Sequence, residues 1–228
     1  MCIPFLKSSI GKKAVMAVTG LLFAGFVVAH MLGNLQIFLG QEPLNAYAKK
    51  LQGMPLLLWP ARVSLLLIFV VHMWVSIKLA IENKKARPVA YASQNTVQAS
   101  LASRTMMLSG MVIFAFVAYH LLHFTFGATN PEFFHLVDAK GRHDVYSMSV
   151  LSFRHVGISA SYIFAMFVLC LHLSHGLASF PQSLGLNNEK CLPALKVFAN
   201  TVALLIFIGN SSIPLAVIFN VIKLPGGA

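Results

Sequence analysis

The stretch FVAYHLLHF, Phe116 to Phe124, lies near the end of an apolar run from Ser103 to Ala128 and carries two histidines, His120 and His123, one helical turn apart. A helix needs about 20 predominantly apolar residues to cross a hydrocarbon core of roughly 30 Å, and this run is long enough. Ala14 to Gly40, Leu57 to Ala80, Ser152 to Phe180 and Ala194 to Ile222 meet the same test. The composition agrees: the 228 residues are 57% hydrophobic and 10% charged, with mean hydropathy +0.77. Soluble domains average roughly 25% charged residues. The chain is therefore expected to be an all-α integral membrane protein, one domain over residues 1–228 with five transmembrane helices. The first run has the basic flank of a signal peptide (Lys7, Lys12, Lys13) but is too long and has no clear small-residue cleavage site, so it reads as a retained helix.

The formal charge is +11, from 17 Lys and Arg against 6 Asp and Glu. The basic residues sit between apolar runs and not on one polar element, so anionic lipid and topology signalling explain them and nucleic acid does not. With the N-terminus inside, that side holds ten Lys and Arg, including Lys78, Arg87 and Arg104, and the other side holds seven. The bias predicts a cytoplasmic N-terminus. Cys2, Cys170 and Cys191 form no CxxC and no even framework, so they read as packing or surface thiols, with no disulfide scaffold and no iron–sulfur site. The segments around QEPLNAYAKK and from Thr129 to Leu151 read as loops. GNSSIP, Gly209 to Pro214, reads as a kink in a fifth helix that packs beside the other four, with Ser or Asn satisfying the freed carbonyl.

Depth along each helix explains most of the histidines. At 1.5 Å per residue, His30 lies about 24 Å from Ala14 and His120 about 24 Å from Arg104, both toward the outer leaflet. Helices 2 and 4 run the other way: His72 lies about 20 Å from Trp59 and His172 about 27 Å from Arg154, both toward the inner leaflet. One histidine in a span is ordinarily a polar residue bonded to a neighbouring helix. Four at two matched depths fit a further use, bis-histidine haem ligation, with one imidazole on each face of a porphyrin. Propionates at the inner end would find Arg104 and Lys78, and at the outer end Arg62 and Arg154. His123 and His175 lie one turn beyond His120 and His172 and could share their helix faces. Their greater depth places them at or past an interface, as interfacial residues or as propionate or quinone partners. His135, His143 and His155 read as solvated or loop-packing residues.

The ordered set SSIGKKAVMAVTGLL, AHMLGNLQIFLG, LNAYAKKLQ, SRTMMLSG, YHLLHF, LHLSHGLASF and SLGLN covers nearly the whole chain. It resembles the di-haem cytochrome b membrane subunits of succinate dehydrogenase and fumarate reductase. That resemblance implies a four-helix haem-binding bundle plus one peripheral helix, and two haem b groups. It assigns His30 with His120 to the outer haem and His72 with His172 to the inner haem. It also implies a flavoprotein subunit and an iron–sulfur subunit docked on the cytoplasmic face of a bacterial inner membrane, delivering electrons to quinone, usually menaquinone. Those partners are needed on chemical grounds, because the chain has no Gly-rich dinucleotide fingerprint and no cysteine cluster. Some relatives carry a glutamate for proton transfer two residues before the helix 4 ligand, where this chain has Cys170. No Asp or Glu lies inside the five expected spans, so no proton pathway through them is expected. Two alternatives stand beside this reading: a di-haem anchor of another dehydrogenase, such as a hydrogenase or formate dehydrogenase, and a haem-free transporter or structural anchor.

Overall fold

The computed structural model describes residues 7–86, 100–186 and 188–226; Cys2, Asn187 and the basic loop 87–99 with Arg87 lie outside the described residues. Helix α1, Ser9–Asn34, starts where Ser8 Oγ accepts the Gly11 N–H at 3.0 Å, and it tightens into a 3₁₀ turn over Leu35–Leu39. Gly40, at φ +101°, ends that turn in a conformation that favours glycine. Next come α2, Gln41–Gln52, and α3, Pro55–Lys85. A short α4, Leu101–Arg104, leads into α5, Met106–His120, which widens into a π turn over Leu121–Thr125. The order closes with α6, Pro131–Phe134, α7, Val145–Arg154, α8, Val156–Ser183, and α9, Leu192–Ile218. Five helices, with spans Ser9–Leu39, Pro55–Lys85, Met106–Thr125, Val156–Ser183 and Leu192–Ile218, are long and apolar enough to cross a membrane. The protein is an all-α, multi-pass integral membrane protein.

The structure departs from the sequence reading outside the spans. Two segments expected as loops contain helices. In α2, Pro43 lies in the first turn, where its missing N–H costs nothing, Glu42 precedes it, and Lys49 and Lys50 complement the other end of the dipole. In α7, Asp144 caps the helix by accepting the Ser147 N–H at 3.0 Å. Ser152, expected to open the fourth span, instead belongs to α7; the chain breaks at His155, in extended backbone, before α8 begins. Helix α9 runs on through Pro214, with Asn210 and Ser212 donating to the carbonyls of Ile206 (2.9 Å) and Gly209 (2.7 Å).

Packing arranges four spans as a square. Helix α1 packs against α3 and α8, while α5 packs against α8 and only lightly against α3. The pairs α1/α5 and α3/α8 are therefore diagonals that face each other across the interior. Helix α9 lies outside the square along α8, where Ala199 and Ala203 are fully buried and let the backbones come close. At one end of the square, Lys12, 5% exposed, ties α1 to α3 by donating to both carboxylate oxygens of Glu82, at 2.6 and 2.5 Å. Read in the sequence as a flanking cation, Lys12 is the buried half of an ion pair whose carboxylate is exposed.

The opposite end is closed by a polar cap. Asn45, fully buried on α2, donates to Asp144 at 2.9 Å and Asp138 at 3.2 Å and accepts the Tyr146 N–H at 3.1 Å. Gln41 donates to Asp144 at 2.8 Å. Arg142 pairs with Glu42 and Asp138, both at 2.6 Å, and Lys140 reaches Glu42 at 2.7 Å. Hydrogen bonds from Arg142 and then Lys140 hold the Glu42 carboxyl down at about 2, and Arg142 foremost holds Asp138 well below the usual carboxylate range. Burial pushes Asp144 up, but hydrogen bonds led by Asn45 outweigh it and leave the group below its ordinary value.

Candidate functional site

Two matching arrangements fix histidines of α3 and α8 against the helices beside them. Thr19 of α1 already gives its hydroxyl proton to the Val15 carbonyl at 2.7 Å, and its oxygen lies 2.8 Å from His72 Nδ1. Ser109 of α5 repeats this: its hydroxyl donates to the Met106 carbonyl at 3.0 Å and lies 3.0 Å from His172 Nδ1. A glycine follows each hydroxyl. A Cβ on Gly20 would sit 3.4 Å from His72 Cε1, and one on Gly110 3.7 Å from His172 Cε1, so each ring edge lies about one methyl group away from the helix. His72 and His172 lie on the two helices of the α3/α8 diagonal.

The second level follows from the same two helices. His30 is eleven residues beyond Thr19 and His120 eleven beyond Ser109, which sets this level about 16 Å further along the bundle. The His30 and His120 rings face each other across the α1/α5 diagonal, their centres 5.8 Å apart and their planes at 89°. Phe26 stacks on His30 at 5.4 Å and Phe116 lies 5.9 Å from His120. His30 and His120 thus lie on the helices of one diagonal, and His72 and His172 on those of the other.

The π turn separates His123 from His120. Its wider winding closes with the Phe126 N–H on the Leu121 carbonyl at 2.9 Å and carries His123 inward, where it is 2% exposed. His123 is thus packed inside the bundle, on a face close enough to that of His120 for both rings to approach Tyr162. His123 Nδ1 lies 2.9 Å from the Tyr162 hydroxyl, which is 3.4 Å from His120 Nδ1, and His123 Nε2 has no partner among the described residues. Tyr162 is itself the centre of an aromatic nest, with Phe116 at 5.0 Å and Phe153 at 5.1 Å. His175 is half-buried on α8, and Arg104 and Lys78 are exposed at the end of the bundle nearer the first level. Arg62 lies over the Trp59 ring at 5.3 Å.

Thr19, Ser109 and Tyr162 were missed as site residues by the sequence reading. A signal for the first two is present, since Thr-Gly-x₉-His in α1 and Ser-Gly-x₉-His in α5 repeat one pattern.

Chemically, the site offers two pairs of imidazoles in an apolar interior. A metal–nitrogen bond of about 2 Å on each side, plus the distance from nitrogen to ring centre, requires ring centres about 6 Å apart, and the His30/His120 pair meets this. No group of three His, Cys, Asp or Glu among the described residues could hold a bare ion. Two imidazoles from the chain would hold a metal whose remaining ligands came from another group, such as a porphyrin. Cys170 and Cys191 are free thiols. No family model, curated protein or solved structure matches the chain.

Proposed function

We propose that this chain is the di-haem cytochrome b anchor of a succinate dehydrogenase or fumarate reductase, in the cytoplasmic membrane of a bacterium with its N-terminus inside. The observation that carries the reading is the facing of His30 and His120 at 5.8 Å across one diagonal of the bundle, with His72 and His172 on the other diagonal one level away. Bound between each pair, a haem b would accept and pass on single electrons across the membrane interior. The chain's own residues provide the setting. Phe23, edge-on to His72 at 5.9 Å, and Phe26 and Phe116 at the second level exclude water from the rings. Arg104 and Lys78 supply positive charge for carboxylates at the first-level end. His123 and Tyr162 place hydrogen-bonding groups beside His120, and His175 lies one turn beyond His172, where a propionate or a quinone carbonyl would find a donor.

Succinate and fumarate chemistry belongs to partner subunits, a flavoprotein and an iron–sulfur protein, and this chain exchanges electrons between the iron–sulfur partner and membrane quinone, menaquinone on the family resemblance. The test is a dithionite-reduced minus oxidised spectrum of the purified chain, made with adequate haem supply, with pyridine haemochrome quantitation. Two low-spin b haems per chain are expected, and co-purification of the two partner subunits separates this assignment from a hydrogenase or formate dehydrogenase anchor. A folded chain without haem overturns it in favour of a transporter or structural anchor.

A further inference from the structure

The hydroxyls of Thr19 and Ser109 each have one proton, and both spend it on their own helix. Thr19 donates to Val15 at 2.7 Å and Ser109 to Met106 at 3.0 Å. Toward the histidines they can only accept. With the hydroxyl protons placed on the helix carbonyls, His72 and His172 carry their own proton on Nδ1 and keep Nε2 as a bare lone pair, the tautomer that a metal bond through Nε2 requires. The second level is built differently. The only hydroxyl near His120 Nδ1 among the described residues is Tyr162, at 3.4 Å and shared with His123, while His30 is held there by ring contacts.

We propose that Thr19 and Ser109 are a matched pair of positioning residues that fix the tautomer of the first-level ligands and tune the electron affinity of the group they hold, independently of the second level. The inference rests on the haem reading above. A hydrogen bond accepted from Nδ1–H makes the imidazole a stronger donor through Nε2. A stronger donor favours the oxidised metal, so the two hydroxyls lower the first-level potential.

The test is spectroelectrochemical titration of the detergent-purified full chain, with the two haems assigned by the signal that survives in His120→Ala. Thr19→Val and Ser109→Ala should each move the first-level midpoint potential upward, with a larger shift in the double variant, while the second-level potential stays put. Thr19→Ser keeps the acceptor and should restore the wild-type value, which a purely packing role for Thr19 would not require. Hydroxyl-free variants that keep two haems at wild-type potentials overturn the proposal. So does a shift shared equally by both haems, or a Thr19→Ser variant that behaves like Thr19→Val. A wild-type chain that binds no haem instead overturns the function proposed above, so the two failures are distinct.

Discussion

At the scale of single residues, His120 and His123 show how chemistry is assigned by where a ring points. His120 faces His30, whereas His123 is buried against Tyr162. Under the proposed function, His120→Ala should lose the second-level haem and keep the first. His123→Ala should keep both and cost about 1–3 kcal/mol of stability, because Tyr162 is left without its close partner in a buried site. Haem stoichiometry and thermal melting of the two variants check this, and loss of a haem in His123→Ala would reverse the ligand assignment. On the same proposal, His72→Ala should remove the first-level haem and slow reduction of the other by the proposed partner subunits, read by stopped-flow absorbance.

At the scale of elements, the segments between the spans hold one end of the bundle together through charge and backbone geometry. Glu42, Asp138 and Asp144 all ionise more readily in the fold than their ordinary values predict. Their folded pKa values are depressed, so their contribution to stability is present above the unfolded value and lost as pH falls through the folded one. For Glu42 that window runs from 4.5 down to about 2. The melting temperature should fall across this acid range, and Glu42→Gln should flatten part of that slope. Gly127 tests the backbone: its φ is +66°, and a Cβ there would strike the Phe134 ring. Gly127→Ala should cost about 1–2 kcal/mol from the left-handed backbone alone, with the steric conflict in addition. Hydrogen exchange should show the loss concentrated in the segment from Gly127 to α7.

At the scale of the whole molecule, α1 and α3 are pinned end to end by Lys12 and Glu82. Glu82→Gln leaves a buried ammonium with a weaker partner. Because Glu82 is 45% exposed on its side chain, the cost should be about 1–2 kcal/mol and not the roughly 3–5 of a fully buried pair. The double variant Lys12→Met/Glu82→Leu should recover much of that loss in a detergent melt. Topology is tested separately: the proposed inside N-terminus, together with five spans, predicts an active C-terminal reporter that depends on the outer side of the membrane and a silent one that depends on the cytoplasm.

Much of the fold was legible in the chain because lipid imposes a coarse rule. Backbone polar groups must be satisfied within a helix, so length and hydropathy alone locate the five spans. Histidine depth was legible for the same reason, since rise per residue is constant once a helix crosses the membrane. What hydropathy could not settle were the capping helices α2 and α7, whose stability comes from tertiary hydrogen bonds through Asn45, Asp138 and Asp144. The π turn at Leu121–Thr125 was equally hidden, because a change of winding leaves composition untouched. The diagonal placement of the histidine helices, the Lys12–Glu82 pair, and the hydroxyls of Thr19 and Ser109 at His72 and His172 were decided only by the tertiary structure. They depend on which helix lies beside which, and apolar surfaces in lipid are too alike for the sequence to specify that neighbour by hydrophobicity.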